Sequence, residues 1–114
     1  LLGGVVTWVP GRPSDIRARG FDHAELLARL VAPRIGLRAR SLLFRRGSPP
    51  DQSGLSAARR RHNLIGAFEA RSCNGRVIVV DDVITTGATA RACAAALRAG
   101  GAEMVELLAA CRKS

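Results

Sequence analysis

The chain has 114 residues, enough for one domain with a real core and a poor fit to two. Apolar residues make up 47%, which excludes a disordered chain, and aromatics only 4%, so the core has to be aliphatic. The net charge is +9, and all but one of the 18 basic residues are Arg, whose planar fork favours carboxylate and phosphate partners. An Ala, Arg, Gly and Leu bias accounts for the excess about equally well, and charge alone argues for solubility and weak non-specific affinity.

No apolar run approaches the ~20 residues of a membrane helix, so no membrane insertion is expected. The LLGGVV start lacks a basic leader and enters a strand almost at once, so a trimmed chain is expected. Gly4 to Val9 reads as a short strand ended by Pro10 and Gly11. Pro10 to Gly20 reads as a polar loop. From Phe21 to Ile35 the pattern is helical, with Phe21, Leu26, Leu27, Leu30, Val31 and Ile35 as its apolar stripe and Gly36 as its stop. Ser41 to Phe44 is a short strand candidate.

Arg45 to Asn63 is long, polar and basic, with Gly47, Pro49, Pro50, Gly54 and the run Arg59-Arg60-Arg61. Loops of that length are usually functional or disordered; a short helix is expected near Ser56 to His62. Gly66 to Arg71 reads as an edge strand and Asn74-Gly75 as a tight turn. Arg76 to Val80 is a continuous apolar run, the mark of a strand covered on both faces. Thr89 to Ala99 is an Ala-rich helix stopped by Gly100-Gly101, and Met104 to Ala110 is β-prone. This alternation predicts a parallel α/β sheet of four or five strands. Cys73, Cys93 and Cys111 lack metal or disulfide spacing and read as small hydrophobes in a reducing, cytoplasmic setting.

The chemistry concentrates in VIVVDDVITTGAT, Val77 to Thr89. A buried strand is expected to end at Val80, with Asp81 and Asp82 at its carboxyl end, where open α/β sheets bind ligands. Val83, Thr85, Thr86, Gly87, Ala88 and Thr89 then lead into a helix. A glycine turn at a helix N-terminus aims backbone N–H groups at a phosphate, and the Thr hydroxyls add donors. The two carboxylates suit vicinal sugar hydroxyls, or Mg²⁺ held indirectly through water. A phosphate cradle beside a diol grip suits a ribose 5-phosphate.

An apolar strand, an acidic pair and T-T-G-x-T resemble the phosphoribosyl pyrophosphate (PRPP) motif of type I phosphoribosyltransferases. The resemblance implies that Asp81 and Asp82 meet the ribose hydroxyls and that residues 83–89 wrap the 5-phosphate. RGFDHAELLA, Gln52, Leu55, Asn63 and Gly66 to Phe68 resemble the ComF, competence-associated group more narrowly. Asp22 and His23 stand where that group usually has Asn and Gln, and Pro49 where it has Thr. The Cys cluster that usually precedes this domain does not occur in the chain.

The resemblance implies a phosphoribosyltransferase-like domain over residues 1–114, with helices on both faces and a reduced or missing hood. It implies a flexible loop at about 45–63 and a PRPP loop at 81–89. It makes Pro10 to Gly20 a pyrophosphate loop in which Arg12, Arg17 and Arg19 neutralise charge, with Arg17 and Arg19 as catalytic candidates. PRPP with Mg²⁺ is the expected ligand. Single-stranded DNA and competence helicase-type proteins are possible partners, and a PRPP sensor without catalysis is the third reading. His23 and His62 are acid–base candidates outweighed by a surface role. Thr85 stands where purine salvage enzymes of the family usually have an Asp base, which disfavours a purine acceptor. Acceptor and oligomeric state stay open.

Overall fold

The computed structural model describes residues 3–46, 67–84 and 87–112, except the side chains of 83, 84 and 110–112. Most of the expected flexible loop, with Gln52, the Arg59-Arg60-Arg61 run and His62, lies outside the described residues, as do Thr85 and Thr86.

Four parallel strands form the main sheet in the order β2-β1-β5-β6: β1 (Gly4–Trp8), β2 (Arg38–Ala39), β5 (Arg76–Ile84) and β6 (Met104–Arg112). The parallel registers include Val6 with Ile78, Trp8 with Val80, and Val80 with Leu108. Val77 to Val80 are all buried, as the continuous apolar run predicts. Two further strands, β3 (Leu43–Arg45) and β4 (Phe68–Ala70), pair antiparallel as a separate ribbon. The helices are α1 (Pro13–Arg19), α2 (His23–Arg34) and α3 (Ala88–Ala99).

Alternation along the strands divides the core into two layers. Val6, Trp8, Ile78 and Val80 face α2 and pack on Ala24, Ala28 and Ala32. Val77 and Val79 face the other way, onto Leu42, Leu43, Phe68 and the Ala92, Cys93 and Leu97 side of α3. Helices therefore cover both faces, as expected. Thr7, fully buried on the second face, accepts the Leu42 N–H at 3.2 Å and so ties the β3 approach to the sheet.

Three local expectations are corrected. The Pro10 to Gly20 stretch is not all loop: Pro13 opens α1, Asp15 lies in its first turn, and Gly20 closes it at φ 87°. Proline at the first helical position and glycine just past the end favour this helix. The fully buried face of α2 is its alanines; of the expected stripe Leu27 packs against them, while Leu26 and Leu30 are 50% and 53% exposed, and Phe21 and Ile35 are exposed too. Small residues let the helix lie close on a sheet face already filled by Trp8. Finally, β5 does not stop at Val80. Its pairing with β6 runs through Asp81 with Ala109 to Ile84 with Arg112, so the acidic pair lies within the strand's last turn of pleat.

Five described glycines take positive φ, and two of them shape the turns around β5 and α3. Gly75 takes φ 64° in the expected turn before β5. Gly101 takes φ 119° after α3, and a Cβ there would stand 2.1 Å from the Cys73 carbonyl oxygen.

Candidate functional site

The strand order reverses direction at the β1/β5 boundary. From β1 the chain crosses through α2 to β2 on one side; from β5 it crosses through α3 to β6 on the other. That boundary is a topological switch point, and a crevice opens there at the carboxyl ends of the strands. It has a volume of about 380 Å³. Its walls are the Pro10–Gly11 turn and α1 on one side, Asp81, Asp82 and Thr89 on another, and Phe21, His23 and Arg45 around the rim.

The two carboxylates come from opposite faces of one strand. Asp81 continues the Val77, Val79 face toward Cys93 and α3; Asp82 continues the Ile78, Val80 face toward α2. The Asp82 carboxylate stands 3.7 Å from His23 Nδ1, and the Asp81 charge is felt by the Cys93 thiol. Both are partly buried and both line the crevice, so a ligand lying across the end of β5 reaches the pair from above. Gly87, at φ 81°, sets the entry to α3, and a Cβ on it would meet Arg91 Nη1 at 3.0 Å. Ala88 and Thr89 form the first turn of that helix, at the positive end of its dipole. Of the expected phosphate-loop residues, Thr89 lines the crevice, and Gly87 and Ala88 precede it at the start of α3.

The opposite wall carries both signs, with Asp15 of α1 standing among its arginines. Arg12 and Arg19 line it; Arg17, on the same helix, is exposed and does not. Arg19 Nη1 approaches His23 Nδ1 at 3.3 Å, and the Phe21 and His23 rings meet at 4.7 Å between centroids. The Pro10–Gly11 turn is held by hydrogen bonds: Asp22 Oδ2 accepts the Gly11 N–H at 2.9 Å, and Arg45 Nε donates to the Pro10 and Gly11 carbonyls at 3.1 and 3.4 Å. Asp22 also caps α2 by accepting the Ala24 N–H at 3.2 Å. Burial, then the nearby Arg12 charge, holds the Arg45 pKa below the usual arginine value.

Sequence reasoning underweighted His23, which the fold brings to Asp82, and placed Arg45 at the start of a loop when it ends β3. The Asp22-x-x-Glu25 spacing is a helix-start signal that points to Asp22. Arg45 has no such local signal, because its partners lie 34 and 35 residues away. Among the described residues no cluster of three or more His, Cys, Asp or Glu is arranged to hold a metal alone.

A four-stranded parallel α/β sheet with helices on both faces and a crevice at its switch point gives the class, an α/β fold compatible with a reduced type I phosphoribosyltransferase core. The chain is 35% identical over 97 residues to the DNA utilization protein YhgH of Salmonella typhi, covering 82% of this chain and 43% of that protein. It is 37% identical over 95 residues to Competence protein F of Haemophilus influenzae, covering 78% of this chain and 42% of that protein. The YhgH protein of Escherichia coli K12 is 34% identical over 97 residues. The chain belongs to the ComF family. It spans less than half the length of these curated relatives. No family model matches the chain, and no solved structure matches it.

Proposed function

We propose that the crevice binds a 5-phosphoribosyl diphosphate with Mg²⁺, and that the protein serves DNA uptake or DNA utilization. The observation that carries the ligand reading is the joint placement of Asp81, Asp82 and Thr89 on one wall, facing the arginine-bearing α1 across the switch point. Asp81 and Asp82 would accept hydrogen bonds from the vicinal ribose hydroxyls. The first turn of α3 would take the 5-phosphate on its N–H groups. Arg12 and Arg19 would face the diphosphate and stabilise charge as it leaves. Mg²⁺, when bound, supplies charge neutralisation on that diphosphate. Transfer to an acceptor then needs positioning and electrostatics rather than a protein nucleophile.

The names of the relatives, Competence protein F and DNA utilization protein, support the link to DNA. The net charge of +9 favours a second reading, an accessory module that contacts single-stranded DNA or a competence helicase-type protein. A PRPP sensor is the third. Calorimetric titration with PRPP, with and without Mg²⁺, decides among them. The phosphoribosyl reading expects Mg²⁺-dependent binding that Asp81→Asn with Asp82→Asn abolishes. Salt-sensitive DNA binding that survives in the same double variant, with no PRPP binding in the parent, selects the accessory module. Binding without turnover of any acceptor selects the sensor.

A further inference from the structure

The turn after β1 is held more completely than its length requires. Pro10 has no N–H, so the two residues offer three backbone groups: two carbonyls and the Gly11 N–H. Arg45 Nε shares its proton between both carbonyls, at 3.1 and 3.4 Å, and Asp22 Oδ2 takes the N–H at 2.9 Å. Each anchor is itself fixed. The Arg45 guanidinium lies 4.9 Å from the centroid of the Phe68 ring, and Phe68, only 4% exposed, is its register partner across the β3–β4 ribbon. Asp22 is fixed by capping α2 through its other oxygen. Among the described residues Arg45 makes no ion pair, so carboxylate pairing does not account for where it sits. A lysine in its place would keep the charge and lose both the Nε–H and the flat face that rests on Phe68.

We propose that Arg45 is a positioning residue: with Asp22 it clamps the Pro10–Gly11 turn, and so aims the start of α1, with Arg12 and Arg19, at the anionic group that occupies the crevice. The identity of that anion as a diphosphate rests on the phosphoribosyl reading; the clamp does not. Arg45 acts through the turn. A glycine followed by a short helix would otherwise sample many orientations, and the two arginines on α1 would meet an anion only in some of them.

The test compares Arg45→Lys and Arg45→Met with the parent chain by three measurements: amide exchange at Gly11, affinity for inorganic diphosphate, and affinity for ribose 5-phosphate. Both variants are expected to speed Gly11 exchange and to weaken diphosphate by about tenfold, the loss of one charge-assisted hydrogen bond. Ribose 5-phosphate, held at the far wall, is expected to stay within about twofold. Failure of Arg45→Lys to rescue either effect marks the fork geometry rather than the charge. Unchanged Gly11 exchange overturns the clamp, and so does an equal loss of both probes accompanied by a fall in melting temperature, which marks a plain structural strut. If the parent binds neither probe, the phosphoribosyl reading fails; Gly11 exchange then still upholds or overturns the clamp by itself.

Discussion

Asp81 and Asp82 are neighbours in sequence but look out on different surroundings, and that difference is measurable. Burial pushes the Cys93 thiol up to about 12, with the Arg45 charge pulling it down and the Asp81 charge, a smaller influence, pushing it up. Replacing Asp81 with Asn is therefore expected to lower the Cys93 pKa, and Arg45→Met to raise it, while Asp82→Asn leaves it in place. Thiol titration in a background with Cys73 and Cys111 changed to Ser reads all three. The same shift has a stability consequence. The folded thiol stays protonated where the unfolded thiol, near 9.0, ionises, so its contribution is whole below pH 9 and drains away as pH rises toward about 12. Alkaline denaturation of Cys93→Ala is expected to lack that component. For PRPP binding, each single Asn variant is expected to lose about 10- to 100-fold, the value of one hydrogen bond to a charged group. At this scale the sequence showed the acidic pair plainly, at the carboxyl end of β5. It could not show that the pleat splits the pair between two faces, because that depends on β5 running on past Val80 alongside β6.

Among the elements, α2 teaches most about what a pattern conceals. Of its larger residues only Leu27 packs on the core; Leu26 and Leu30 are half exposed, whereas Ala24, Ala28 and Ala32 make an equally periodic stripe that lies buried against β1 and β5. Periodicity identified the helix, but two stripes of the same period compete, and Trp8 on the facing strand decides in favour of the small one. Ala28→Leu is accordingly expected to destabilise the fold by about 1–3 kcal/mol through overpacking, and Leu30→Ala by much less; chemical denaturation measures both. Asp22→Ala removes a cap and is expected to cost about 1 kcal/mol from that source, with an added loss from the freed Gly11 N–H. The strands were easier to foresee than α1. A hydrophobic run stands out by itself, whereas α1 has no buried residue and is held by its ends, Pro13 and Gly20.

For the whole molecule, the parallel sheet followed from the alternation of strand and helix signals, and the helices on both faces from the family resemblance. The separate β3–β4 ribbon did not, since it depends on pairing across a long stretch of chain. The net charge belongs to this scale too. If the surface contacts single-stranded DNA, the affinity is expected to fall steeply with salt and to change little with sequence, and a salt series measures the slope.

The two crossovers, β1-α2-β2 and β5-α3-β6, each build one bank of the crevice and meet along the seam between β1 and β5, with α2 laid over it. Anything that settles across that seam acts as a bolt through two plates: pulling them apart then means releasing the occupant as well. At a free concentration a hundred times its dissociation constant, such a bolt adds about 2.7 kcal/mol to the work of unfolding, whether or not a chemical bond is ever made. A melting curve that climbs with added compound is thus a sensor inherent in the architecture, and it can screen for the natural occupant before any reaction is known.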